Sequence, residues 1–234
     1  MKKAQNSNIR YDLEIIADFI PMGAKCLDIG CGDGELLQYL RDKKNVDGRG
    51  IEVEQAQVTK ALGRGLSVIQ GDAQNDLEYY PDQSFDYAVL SQVIQATKNP
   101  DKILVEMLRV AKYAIVSLPN FAYYKNRAQL MFKGTMPVNE LIPYQWYETP
   151  NIHFCSIRDF ENLCRKLDLA IKEEVFLNGK KSFHKIFGQS FLANFFAEYG
   201  IFVIAKNNLA GNCEAVLSDS KNNIFNQKMV LQPV

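Results

Sequence analysis

Apolar residues recur along this chain with two periods, and the alternation between them outlines an architecture. Leu13, Ile16, Phe19 and Ile20 stand at helical spacing, and Pro21 with Gly23 closes that segment before a short apolar run from Cys26 to Ile29. The pattern then predicts a strand over 25–29, a helix over 35–44, a strand over 50–53, a helix over 55–64, a strand over 66–70, a helical turn near Leu77 and a strand over 85–90. A helix follows over 100–110, with Asn99 placed to cap it and Pro100 in its first turn, and then a strand over 113–117 closed by Pro119. Strands alternating with helices in this way make a parallel sheet with crossover helices.

The rhythm breaks over 121–155. A helix-like stretch, Ala122 to Phe132, leads into Met136-Pro137 and an aromatic, proline-punctuated run through Tyr144, Trp146, Tyr147 and Pro150. We read this stretch as a lid inserted into the domain. Ser156 and Asp159 have the spacing of a capping pair opening a helix over 157–167, and 170–177 and 199–205 have the pattern of two further strands. The expectation is one α/β domain over 1–206 with seven strands. Beyond Lys206, asparagines at 207, 208, 212, 222, 223 and 226 take over, which predicts a disordered tail over 207–234.

Composition changes this picture in only a few respects. The 234 residues hold 27 Lys plus Arg and 27 Asp plus Glu, with 47% hydrophobic residues, a balance that excludes a general nucleic-acid binder and a disordered chain. Five cysteines, at 26, 31, 155, 164 and 213, are too scattered for a disulfide scaffold. Lys2 and Lys3 are followed by Gln5, Asn6, Ser7 and Asn8 where a signal peptide needs apolar residues, and no apolar run of about 18 residues occurs to span a bilayer. A cytoplasmic protein without membrane or nucleic-acid partners is expected. The neutrality is also a cancellation: residues 1–90 hold 15 acids and 10 bases, residues 91–234 hold 12 acids and 17 bases. Between Glu106 and Glu140 there is no acid, while Arg109, Lys112, Lys125, Arg127 and Lys133 are present, as suits either a contact surface for an acidic partner or a solvated helix face.

The chemistry concentrates in Leu27 to Leu37, LDIGCGDGELL, where Asp28 precedes Gly30, Gly32 and Gly34. A dinucleotide fingerprint has its third glycine three positions after the second; here Gly34 follows Gly32 by two, and an acid sits on the strand itself, which argues against a nicotinamide oxidoreductase. Asp28, Asp33 and Glu35 ring the loop with negative charge that a diphosphate would avoid. S-adenosylmethionine, or its product S-adenosylhomocysteine, suits such a mouth better, because it carries ammonium instead of phosphate and its carboxylate can use the following helix N-terminus. Glu52, 18 positions after Gly34 at the end of the second strand, can accept from both ribose hydroxyls. Asp72, followed by Ala73 after the third strand, is placed to accept from an adenine amine; a strand-end charge and a helix cap are the plainer alternatives for these two acids.

The stretch from Asp12 to Ile204 resembles the MetW family of methionine biosynthesis proteins within the class I S-adenosylmethionine-dependent methyltransferase fold. The resemblance rests on LDIGCGDGELL, VIQGD at 68–72, FDYAVLSQVIQAT at 85–97, EMLRVAKYAIVSLPNF at 106–121 and MPVNELIPYQWYETPNIHFCSIRDFENLC at 136–164. It implies a Rossmann-like, seven-stranded, mostly parallel sheet whose last strand is antiparallel. It also implies association with homoserine O-acyltransferase, an acetyl- or succinyltransferase, and leaves open whether the chain itself transfers a methyl group.

An acceptor would meet the methyl beyond the fourth strand, at Leu90-Ser91-Gln92-Val93-Ile94-Gln95. No His, Asp, Glu, Lys or Cys occurs there, and Gln92 and Gln95 can orient a ligand but cannot take a proton at neutral pH. His153 in the inserted segment is the nearest candidate base, with a packed position between Ile152 and Phe154 as the plainer reading; with Cys155 it lacks further ligands for a metal. Cys31 reads as a small apolar filler rather than a reactive thiol. Tyr123, Tyr124, Tyr144, Trp146 and Tyr147 suit an acceptor pocket, a partner surface or a lid core. Two readings therefore stand: a partner that activates homoserine O-acyltransferase, and a methyltransferase for a small-molecule acceptor that needs no strong base.

Overall fold

The computed structural model of the chain describes residues 9–139, 142–179, 181–183 and 190–207. Five strands, β1 (Lys25–Ile29), β2 (Asp47–Glu52), β3 (Ser67–Gln70), β4 (Phe85–Ser91) and β5 (Ala111–Pro119), run parallel, in the spatial order β3-β2-β1-β4-β5. Nearly every residue of β4 and β5 is buried, as expected for central strands covered on both faces, and this explains their unbroken apolar runs.

The crossovers are α2 (Glu35–Lys44), α3 (Gln55–Gly63) and α5 (Pro100–Val110), with a short α4 (Ala73–Asp76) running into a 3-10 turn at Leu77–Tyr79. One apolar cluster joins α5 to the sheet through Ile103, Leu104 and Met107; another, on the opposite face, joins α1 (Tyr11–Asp18) and α2 to it through Ile16, Ala17 and Leu40. Asn99 does not cap α5 with its side chain as expected. The Lys98 and Asn99 amides instead donate to Gln74 Oε1, at 2.7 and 3.3 Å, and Pro100 leaves the first turn one orphan N–H fewer.

After α6 (Tyr124–Lys133) and α7 (Ile157–Lys166), the sheet continues with β6 (Leu169–Asn178), β7 (Lys181–Phe183), α8 (Ser190–Phe196) and β8 (Tyr199–Lys206), completing the order β5-β8-β6-β7. β8 is antiparallel to both β5 and β6. The sheet has eight strands rather than the expected seven, because the chain turns back at Gly179, where φ is 57°, and adds three residues antiparallel to β6. A three-residue strand is too short for a period of two to register. α7 is opened as expected by a capping box, Ser156 Oγ accepting from the Asp159 amide at 3.3 Å and Asp159 Oδ2 from the Ser156 amide at 3.0 Å.

The inserted segment is anchored at both ends. The Asn120 amide donates to Glu198 O at 2.8 Å, and its Nδ2 donates to Asn194 O and Ala197 O at 2.9 and 2.8 Å, tying the end of β5 to α8. At the far end, the Ile152 and His153 amides donate to Gln95 O at 2.9 and 3.0 Å, which holds the segment against the turn after β4. Among the described residues no helix is long and apolar enough to cross a membrane. The tail expected over 207–234 lies, apart from Asn207, outside the described residues.

Because Asn120 is buried and serves two carbonyls of α8, Asn120→Ala leaves both without a donor. Urea denaturation at pH 7 is expected to show a loss of about 2 kcal/mol. A loss within experimental error would mean that these two side-chain bonds add nothing to the hold on α8.

Candidate functional site

The glycine loop follows β1 directly and feeds α2. Its start is fixed to the neighbouring strand, since the Gly30 and Cys31 amides both donate to Ile51 O, at 2.8 and 3.3 Å. Gly34 takes φ 82° as the residue before α2, and a Cβ there would run into Leu66 and Ala61, so this position requires glycine for turn and space alike. Gly30 and Gly32 also take positive φ, but a Cβ on Gly32 would meet nothing within 4 Å. The loop is thus packed on its Gly34 side and open at Gly32, where a ligand can approach the backbone. Cys31 is buried against Gly50 and Leu37 in a small apolar cluster, and burial with the nearby acids pushes its thiol well up; it fills space and is not activated.

Two acids sit beneath the loop. Asp28, on β1, is 3% exposed and accepts no hydrogen bond among the described residues; burial first, and the Glu52 charge second, raise its carboxyl from the usual 3.8 to about 7, against a lowering by Arg10. Glu52, 8% exposed at the end of β2, accepts from the Gly32 amide through Oε2 and the Glu54 amide through Oε1, each at 2.9 Å. Each of those oxygens keeps further acceptor capacity. Among the described residues neither acid forms an ion pair.

The other expected members are distributed differently. Asp33, expected to add charge to the mouth, pairs with Arg64 at 2.6 Å and is neutralised there. Glu35 accepts from the Arg10 amide at 3.1 Å. Asp72 caps α4, accepting from the Gln74 amide at 3.0 Å and from Asn75 Nδ2 at 3.1 Å, with Ala73 buried behind it. Ser91 Oγ lies 3.1 Å from Ser117 Oγ, which also accepts from the Gln92 amide at 3.1 Å. This second bond helps hold Gln92 at a φ of 56°, a conformation that costs a non-glycine residue about 1 kcal/mol or more.

Gln92, a candidate for orienting an acceptor, spends its side chain elsewhere: Nε2 donates to Asp12 Oδ2 at 2.8 Å, and the same oxygen lies 3.1 Å from Arg10 Nη2. Arg10 and Asp12 were therefore missed by the sequence reading, and no local motif marks them, because their partners are 25 and 80 positions away. His153 is half-buried. Ile152 and Phe154 are exposed while His153 turns inward, and its Nε2 is buried with no hydrogen-bond partner among the described residues. Gln95, 7% exposed, uses Nε2 on Gln92 O at 2.6 Å and leaves Oε1 likewise without one.

The model of the family of methionine biosynthesis protein MetW matches residues 10–204. The chain belongs to the MetW family. A bifunctional methionine biosynthesis protein MetXA/MetW of Rhodopirellula baltica is 37% identical over 177 residues, 72% of this MetW-family chain, which spans only 28% of that protein. Across three curated relatives the chain spans 28 to 46% of their length. Among solved structures, a SAM-dependent methyltransferase of Mesorhizobium loti superposes with a TM-score of 0.62 at 14% identity, covering 86% of this chain and all of that one. A SAM-dependent methyltransferase of Thermotoga maritima, possibly acting on histamine, gives 0.60 at 20% identity, covering 86% and 90%. These likenesses establish the class I S-adenosylmethionine-dependent methyltransferase fold, with β7 of this MetW-family chain as an added edge strand.

Asp28 generates a testable pH dependence. Its folded value lies above its unfolded one, so its contribution to stability is full below about pH 4 and is lost as pH rises through 7. Asp28→Asn should flatten that limb and leave the variant more stable than the parent at pH 8, by up to about 4 kcal/mol. Denaturant midpoints from pH 4 to 8 measure it; parallel curves for the two proteins would show that Asp28 is solvated.

Proposed function

We propose that the chain acts in methionine biosynthesis as an S-adenosylmethionine- or S-adenosylhomocysteine-binding subunit that associates with homoserine O-acyltransferase and activates it. The observation that carries the partnership is the Rhodopirellula relative whose name joins MetXA and MetW in one polypeptide. Separate proteins that share a complex and halves of one fused chain meet the same requirement, continual proximity. The buried acids beneath an open glycine loop support the ligand.

In this reading Asp28 meets the ligand's ammonium, Glu52 accepts from its ribose hydroxyls, and the first amides of α2 face its carboxylate. Gly30, Gly32 and Gly34 keep the backbone accessible, and Asp72, Ala73 and Ser91 border the base and the methyl-bearing side. S-adenosylmethionine, when bound, supplies a methyl on a sulfonium. Whether that methyl is used depends on the residues after β4, and there Gln92 is committed to Asp12.

A second reading, methyl transfer to a small molecule, is favoured by one observation: among the described residues, Gln95 Oε1 and His153 Nε2 lie unpartnered on segments stitched together at Gln95 O. A hydroxyl- or amine-bearing acceptor would satisfy both. Release of S-adenosylhomocysteine on incubation with small methionine-pathway metabolites, lost in His153→Ala, is the result that this reading requires.

Isothermal calorimetry with S-adenosylhomocysteine should give measurable heat, and Glu52→Ala should weaken binding at least tenfold, since it removes a buried acceptor from two ligand donors. No heat at millimolar ligand would remove the cofactor part of the proposal. For the partnership, acyl transfer by purified homoserine O-acyltransferase is assayed with and without this chain. Equal rates and no complex on size exclusion would reject it.

A further inference from the structure

Far along the chain from the glycine loop, α6 and α8 build one apolar face. Tyr124, Arg127 and Met131 share a side of α6 by their spacing of three and seven. Tyr124 stacks on Phe195 of α8 with centroids 5.8 Å apart, the Arg127 guanidinium lies 5.4 Å over the same ring, and Phe195 stacks on Phe191 at 6.3 Å. The rings pack on one another, and the face looks outward: Met131 and Phe132 are both 79% exposed and Phe191 is 60% exposed. Exposed aromatic and methionine side chains grouped on two neighbouring helices mark a candidate contact site on a folded protein.

The charge carried by α6 and α8 themselves has one sign. α6 carries Lys125, Arg127 and Lys133, and no acid occurs between Glu106 and Glu140. Glu198, the acid nearest to the Tyr123 ring system, is engaged through Oε2 by the Gly179 amide at 2.8 Å. A second copy of the chain on this face would bring basic rim against basic rim, because a twofold contact pairs each patch with itself. The complementary occupant is a different protein with apolar side chains inside an acidic rim.

We propose that the α6–α8 face is the surface by which this chain docks on homoserine O-acyltransferase, and that the acyltransferase offers it an apolar patch bordered by aspartate and glutamate. The assignment rests on the partnership proposed above and names its interface. Phe191, Met131 and Phe132 are the apolar anchors; Lys125 and Lys133 provide the steering charges. Aromatic and methionine anchors inside a charged rim are the composition that carries binding energy in such contacts.

The test measures binding of the purified full chain to purified acyltransferase by biolayer interferometry. Met131→Glu, Phe132→Glu and Phe191→Glu change exposed side chains, and circular dichroism with S-adenosylhomocysteine calorimetry checks that each variant is folded and keeps its ligand site. Met22→Glu, equally exposed in the turn before β1, is the control. Each face variant should weaken binding about tenfold or more, and the triple variant should abolish it. Lys125→Glu with Lys133→Glu should slow association severalfold and remove most of its salt dependence. If the parent chain binds and the triple variant binds equally well, the partnership stands and this interface is wrong. If the parent forms no complex, partnership and interface fall together. A parent dimer seen by light scattering and lost in the triple variant would assign the face to a second copy and overturn the proposal.

Discussion

Asp28 and Glu52 are buried on adjacent strands at the carboxyl end of the sheet, and neither is paired with a cation among the described residues. Burying two like charges together opposes folding, and the surrounding structure relieves them unequally. Glu52 receives two backbone amides, which fix the position of the glycine loop and the entry to α3. Asp28 receives none and responds by holding its proton up to about pH 7. The loop geometry depends on this arrangement: Gly32 must bring its amide to Glu52 while leaving its other side open, and Gly34 must fold tightly enough for Leu66 to pack against it.

The rest of the molecule separates two tasks. The acid-rich first half forms β1 to β4 and the loops at their ends, while the basic second half contributes the inserted segment and the α6–α8 face. They meet at two groups of hydrogen bonds near the ends of β4 and β5. Asp12 holds Gln92, Ser117 holds both Ser91 and the Gln92 amide, Gln95 holds 152 and 153, and Asn120, just past β5, holds α8. The loop end that borders the candidate ligand site and the helix that carries the exposed rings are thus only a strand end apart. In the proposed reading, a ligand bordering the turn after β4 would lie close to the elements that carry the α6–α8 face.

Much of this was legible in the sequence because local rules dominate there. The unbroken apolar runs of β4 and β5, the capping pair at Ser156 and Asp159, and the glycine spacing each follow from a few neighbouring residues, and each stands in the structure. What escaped depended on distance along the chain. Arg10 and Asp12 acquire their role by meeting Glu35 and Gln92, and Asp33 loses its role by meeting Arg64. α8 was missed since SFLANFF is apolar on nearly every side and has no period to read, and β7 because it is three residues long. The aromatic group also divided in a way composition could not foresee: Tyr123 is buried, Tyr124 packs on α8, and Trp146 and Tyr147 are exposed against each other.

Arg10 gives the acid pair its remaining significance. Among the described residues its charge is the basic one that lowers the Asp28 carboxyl, yet it makes no ion pair with it and its own guanidinium is paired with Asp12. A ligand ammonium arriving beside Asp28 would do what Arg10 does from farther away, and would do it better, because Coulomb attraction grows as separation and local dielectric fall. Near pH 7, where about half of Asp28 is protonated, such binding would expel about half a proton, and well below that pH nearly a whole one. In the proposed reading, the site would trade poor stability for its own charge against a high value for a cation from outside, as expected where a fold keeps a carboxylate for binding rather than for holding itself together.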